Sequence, residues 1–227
     1  MSTPTAPKYD PMMDVLTEPG TELNTIAMLA ENDLSPENFY LTGFEAISFN
    51  RRKSFAIETV LSSVATFDNE VLILNTGDRS YAISALCDKL HVSYRMVGID
   101  EVIDDAHKLK ETLKQNRQIS HMVVCEDDTF SLQDDQMKKF GELTSVHKLD
   151  LIVECARKPL SVRQVIEFGI SFLVSPILGG ANQSLILARR SRLVQAEGRS
   201  RSMVHDLYRY WQRIVAQRRH IIEPMAI

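Results

Sequence analysis

Leu149-Asp-Leu-Ile-Val153, then Ser161-Val-Arg-Gln-Val-Ile-Glu-Phe168, Ser171-Phe-Leu-Val174 and Leu185-Ile-Leu-Ala188 follow one another along the chain. Short apolar runs of strand length, apolar on both faces and interrupted by helical periodicity, are the mark of strands covered by helices on both sides of a sheet. The same alternation extends towards the N-terminus. Glu70-Val-Leu-Ile-Leu-Asn75, Val92–Val97 and His121-Met-Val-Val-Cys125 read as earlier strands. Between them, residues 54–64, 80–90, 100–116 and 133–146 carry apolar faces at helical spacing. Ser54 is placed to cap the first of these helices, and Tyr81, Ala82, Ala85, Leu86 and Leu90 are read as the inward face of the second. The expected fold is therefore α/β, a mostly parallel, doubly wound sheet. In such folds ligands gather beyond the carboxyl ends of the strands.

The chain has 227 residues, 44% of them hydrophobic, enough for a full core. Residues 1–20 read as a disordered tail and 21–227 as one domain, with a basic helical end at 198–220. Residues 21–50 give no clear pattern. No apolar run approaches the length of a membrane span, and no secretory signal opens the chain, so a cytoplasmic protein is expected. Cys87, Cys125 and Cys155 lie in or beside apolar runs and are expected to be buried free thiols. The net charge of −4 covers an asymmetry: residues 189–220 hold nine Arg against Glu197 and Asp206. Such a segment is a solvated helix face or, alternatively, a surface for an anion or nucleic acid; nucleic acid is not the expected partner. Glu126-Asp127-Asp128 could bind a metal but reads as an exposed acidic loop, so no metal is expected.

From Asp150-Leu-Ile-Val-Glu154 through Leu185-Ile-Leu-Ala-Arg-Arg190 to Arg201-Ser-Met-Val-His-Asp-Leu-Tyr208-Arg-Tyr-Trp211, the order of motifs resembles the large domain of class V pyridoxal-phosphate (PLP) transaminases. The likeness is nearest to the 2-aminoethylphosphonate–pyruvate transaminases. It implies the large domain of PLP fold type I, and the chain stops at Ile227 where the small domain would begin. In that family a Lys in the loop before the Leu185 segment holds the cofactor as a Schiff base. Here the loop reads Ser175-Pro-Ile-Leu-Gly-Gly-Ala-Asn-Gln-Ser184, without a Lys. A Schiff base needs a primary amine, so the expected catalytic set is empty, with Lys158 as a weak candidate only.

The resemblance implies further positions. The phosphate cup corresponds to Asn50-Arg-Arg-Lys-Ser54, where Arg52, Lys53 and Ser54 could hold an anion by charge. The partner of the pyridine nitrogen corresponds to Glu154, whose bland alternative is pairing with Arg157 or Lys158. Arg201, Asp206, Tyr208 and Trp211 correspond to a subunit interface, implying a homodimer or a heterodimer with a complete transaminase. The leading expectation is a degenerate transaminase-like pseudoenzyme binding a partner or a phosphate ligand, with no cofactor, or PLP held weakly. The alternatives are an active PLP transaminase or lyase acting on an aminophosphonate or small amino acid, and an anion or nucleic-acid binder acting through the Arg-rich segment.

Overall fold

The computed structural model describes residues 15–16, 41–104, 106–126, 130–156, 160–177 and 182–222. Seven strands form one sheet in the order β1-β7-β6-β5-β4-β2-β3. They are β1 (Phe44–Phe49), β2 (Glu70–Asn75), β3 (Ser93–Gly98), β4 (Ile119–Cys125), β5 (Asp150–Glu154), β6 (Ile170–Pro176) and β7 (Ser184–Arg189). Strands β2 to β6 pair in parallel, and β7 runs antiparallel between β6 and β1. The expected α/β class and mostly parallel sheet are as observed. Strand β1, wholly buried, is the element that the sequence pattern did not reveal.

Helices cover both faces. On one lie α1 (Lys53–Val64), α2 (Asp78–Leu90), α7 (Arg190–Gln195) and α8 (Leu207–Ile222). On the other lie α3 (Ile99–Asp104), α4 (Ala106–Gln115), α5 (Asp134–His147) and α6 (Val162–Glu167). Each face buries its own apolar cluster, so the sheet is a septum between two cores. Ser161 caps α6, accepting from the Gln164 backbone N–H, while Gln164 returns a side-chain contact.

Two helix readings need correction. Helix α1 begins two residues earlier than a Ser54 cap implies, so Arg52 occupies the cap position and Ser54 lies exposed within the first turn. Helix α2 buries Ser80, Ile83, Ser84 and Cys87, whereas Tyr81, Ala82 and Ala85 face outward. The inward choice of Ser80 has a reason: its hydroxyl donates to Leu74 O at 3.0 Å and accepts from Thr76 N–H at 2.9 Å, so the polar residue closes the β2–α2 turn from inside. From the stretch read as a tail, Val15 and Leu16 are buried, and Asn50 N–H donates to Val15 O at 2.8 Å. The remainder of residues 1–20 lies outside the described residues. No helix among the described residues is long and apolar enough to cross a membrane. All three cysteines are free and buried, as expected.

At Gly141 in α5, a Cβ would meet the Phe168 carbonyl oxygen at 2.2 Å. Replacing Gly141 with Ala should cost about 1–3 kcal/mol by forcing α5 off the end of α6, measured as a lower midpoint in urea unfolding. His121, at the start of β4, is held far below its ordinary pKa, to about 4, by burial first and then by Arg192 and Arg199, with Asp150 opposing. The unfolded chain takes up that proton near its ordinary value of about 6.5. Stability is thus full above that pH and falls as pH drops towards 4, by about 3 kcal/mol for this group. His121→Gln should flatten the melting temperature between pH 7 and pH 5.

Candidate functional site at the carboxyl edge of the sheet

The strands β2, β4, β5 and β6 end at one mouth, and the side chains there are joined by charge. Glu154, the last residue of β5, is fully buried. Arg79 of α2 donates to it twice, Nε to Oε2 at 2.8 Å and Nη2 to Oε1 at 2.6 Å. Lys53 of α1 lies 3.7 Å away and donates to the Cys155 and Ala156 carbonyls at 3.3 and 3.5 Å. Glu154 therefore pairs with Arg79 and Lys53, contacts that strand order creates. Burial opposes the charge of the Arg79 guanidinium, but its bonds to Glu154 outweigh this and raise its pKa.

The β2–α2 turn supports this arrangement. Gly77 precedes α2 with φ 135°, a conformation that only glycine adopts freely. Thr76 Oγ1 donates to Cys125 O at 2.8 Å, tying the turn to the end of β4. Glu126 is also occupied: its carboxylate accepts from Leu132 N–H at 3.1 Å and Ala156 N–H at 3.3 Å. Among the described residues no group of His, Cys, Asp and Glu could hold a metal. Asp127, Asp128 and Thr129 lie outside the described residues, as does Lys158.

The cation-rich turn 50–54 and the end of the Lys-free loop lie side by side. Arg52 Nε donates to Asn182 Oδ1 at 2.7 Å, Gln183 Nε2 to Asn50 Oδ1 at 2.9 Å, and Ser184 Oγ to Arg51 O at 2.7 Å. The structure thus brings Arg52, Lys53 and Glu154 to one mouth, with Ser54 on the exposed side of α1. The N-terminus of α1 has no side-chain cap and no acid in its first turn, so its first N–H groups and positive field are open to an anion. Ser175 Oγ, at the carboxyl end of β6, is buried with no hydrogen-bond partner among the described residues.

The segment read as an interface is largely turned inward. Arg201 Nε donates to Ala65 O at 2.8 Å, Nη1 to His91 O at 2.9 Å, and its guanidinium lies 4.0 Å from the Phe67 ring centroid. Asp206 accepts from Arg209 N–H at 3.1 Å and caps α8. Tyr208 packs edge-on against Trp211 at 5.8 Å, and Trp211 is buried in the core beneath α8. Other arginines of the basic segment are similarly engaged: Arg190 and Arg218 bind Glu45 at 2.7 and 2.8 Å, and Arg192 binds Asp150 at 2.6 Å.

This sheet and its flanking helices match the fold of the large domain of PLP-dependent aminotransferases. The fold aligns with ureidoglycine–glyoxylate aminotransferase from Bacillus subtilis at TM-score 0.66 and 17% identity, covering 96% of this chain and 56% of that one. It aligns with the PLP-bound C-S lyase of Staphylococcus hominis at TM-score 0.57 and 11% identity, covering 92% and 61%. In sequence the chain is similar to 2-aminoethylphosphonate–pyruvate transaminases. It is 26% identical over 170 residues to that of Bacteroides fragilis, covering 70% of this chain and 46% of the relative. For Phocaeicola vulgatus the match is 28% over 169 residues, covering 70% and 45%. The chain spans about half the length of these curated relatives. No family model matches. These likenesses bear out the resemblance to class V PLP aminotransferases. They overturn the expectation of no cofactor, because the relatives are transaminases and the structural neighbours include a PLP-bound enzyme.

Arg79→Met should leave Glu154 buried beside Lys53 alone and cost about 3–5 kcal/mol, the usual result of removing one partner of a buried pair. Arg79→Met with Glu154→Leu should recover most of that loss, read as non-additivity in a double-mutant cycle of chemical denaturation.

Proposed function

We propose that this chain is a transaminase-like domain that takes PLP, or a phosphate ester of like shape, by its phosphate and without a covalent link from its own β6–β7 loop. The observation that carries this is the pairing of an uncapped, acid-free α1 N-terminus bearing Lys53 with a neighbouring loop that contains no Lys. When bound, PLP supplies an electron sink for carbon–nitrogen chemistry at amino compounds. The chain's own residues would hold it. The first N–H groups of α1 would meet the phosphate, and Arg52 and Lys53 would add charge, with the Ser54 hydroxyl at the rim. Glu154 would be the acid at the ring end, and its two oxygens already accept from Arg79. A protonated ring nitrogen reaches Glu154 only if Arg79 swings aside, so the site fits the phosphate end better than the ring end. On this reading the chain binds the cofactor and catalyses no transamination alone. On this reading the chain also associates with a second copy or with a complete transaminase, and an aminophosphonate, the compound in the relatives' name, is the substrate class to test on such an assembly.

The second reading is an active enzyme whose amine comes from Lys158 or a partner. Both readings meet one experiment. The full chain is titrated with PLP and with pyridoxal, then treated with borohydride and mapped by mass spectrometry. Saturable binding of PLP but not of pyridoxal, weakened about tenfold or more by Lys53→Ala, with no pyridoxyl label, supports the proposal. Equal binding of pyridoxal removes the phosphate site. A stoichiometric label on Lys158 or another Lys gives the second reading.

A further inference from the structure

At the opposite, amino-terminal edge of the sheet is a cavity of about 170 Å³ that the site at the carboxyl edge does not use. Its polar wall is Ser120 and His121 at the start of β4, Asp150 at the start of β5, Lys148 just before it, Arg192 of α7, and Arg199 beyond α7. Asp150 and Glu154 bracket the five residues of β5, so the two places are about 13 Å apart along one strand.

The charges in this cavity do not cancel. Asp150 is the one acid among its lining residues, and it is already matched: Arg192 Nε lies 2.6 Å from Oδ1, and Ser171 Oγ donates to the same oxygen at 2.7 Å. Lys148 and Arg199 remain, and among the described residues no acid pairs with either side chain. Their positive charges are the ones left to face an anion. The buried imidazole adds a donor. Ser120 Oγ and His121 Nδ1 are 2.6 Å apart, and Nε2 is 3.9 Å from Asp150 Oδ2, beyond hydrogen-bond reach. Were Nδ1 to carry the proton, the lone pair of Nε2 would face the Asp150 carboxylate. The favoured tautomer therefore has Ser120 donating to Nδ1 and the proton on Nε2. That leaves the Nε2 N–H of His121 with no acceptor in reach among the described residues, beside two unpaired cations.

We propose that this cavity is a second binding site, for a small phosphate-bearing ligand. The two cations in excess of the acid match a dianion, whereas a simple carboxylate would leave one unmatched. The volume equals roughly five or six waters' share of the liquid, at about 30 Å³ each. That accommodates a phosphate group with a few further atoms. Arg192 orders the wall through its bonds to Asp150 and to Gln195 Oε1 at 2.7 Å, so the cavity is held open by contacts that need no ligand.

The test uses the full chain labelled with ¹⁵N at histidine, titrated with inorganic phosphate at constant ionic strength made up with chloride. The His121 ring nitrogens should shift saturably, with a midpoint in the millimolar range or below. Lys148→Ala and Arg199→Ala, both at exposed positions that leave the core untouched, should each weaken that midpoint about tenfold. Arg199→Lys should restore part of it. Lys53→Ala, at the far mouth, should leave it unchanged, which separates this site from the one at the carboxyl edge. Acetate, titrated in parallel as a carboxylate monoanion, should bind about tenfold more weakly. His121 signals that ignore phosphate, or shift without saturating, would overturn the site. So would shifts identical in the Lys148 and Arg199 variants. Acetate binding as well as phosphate would overturn the ligand class.

Discussion

A carboxylate with no access to solvent, Glu154, sits at the end of the central strand β5 and is held by Arg79 and Lys53. Burying an ion is costly unless its partners replace water, so this contact fixes where its neighbours must lie. Arg79 can reach only if α2 begins where the Gly77 turn starts it, and Lys53 only if α1 begins just after its cap Arg52. One carboxylate thus sets the position of two helices on one face of the sheet. It also sets the chemistry of the mouth. Both oxygens accept from a guanidinium, so the strongest acceptor at this edge is engaged inside the protein. Any ligand with a cationic group must compete with Arg79, while a ligand with an anionic group meets an open helix end.

The two edges of the sheet divide the polar groups between them. The carboxyl edge gathers the turns that follow β2, β4, β5 and β6, as parallel connections require. The amino edge is usually the quieter one, yet here it holds a buried imidazole, a carboxylate and three cations around a cavity. β5 connects the two, with Asp150 at one end and Glu154 at the other, and each acid is bound by an Arg from a different helix. The strand between them is apolar, so each acid–Arg pair is isolated from the other by the two cores.

Much of this was legible in the sequence, for physical reasons. Strand β2 was read with its true bounds because a fully covered parallel strand is an unbroken apolar run ending in a turn signal. Helix α6 was read over Ser161–Phe168, a span that takes in the observed helix and both its caps. Strand β1 escaped because it stands outside the strand–helix alternation, and its partner β7 comes about 140 residues later. The inward face of α2 was misread because the criterion was apolarity, while the buried residues include two serines that serve the turn. The charged mouth was half legible. Arg52, Lys53 and Glu154 follow from the family resemblance. Arg79 does not, because its pairing across 75 residues depends on β4 lying between β2 and β5, an order that no local pattern encodes.

The three thiols give the molecule a built-in gauge of its own motions. Burial pushes Cys87 and Cys155 up to about 12, and Cys125 well above its ordinary value, so none is a reactive thiolate in the closed fold. Each sits in a different element: Cys87 within α2, Cys125 at the end of β4, and Cys155 just past Glu154. A thiol reagent can attack each one only when that element opens, so the three alkylation rates measure three local opening equilibria. Cys125 and Cys155 lie at the charged mouth, whereas Cys87 lies beneath α2 against the core. Their relative rates would tell a breathing mouth from a loosening helix layer without any added label.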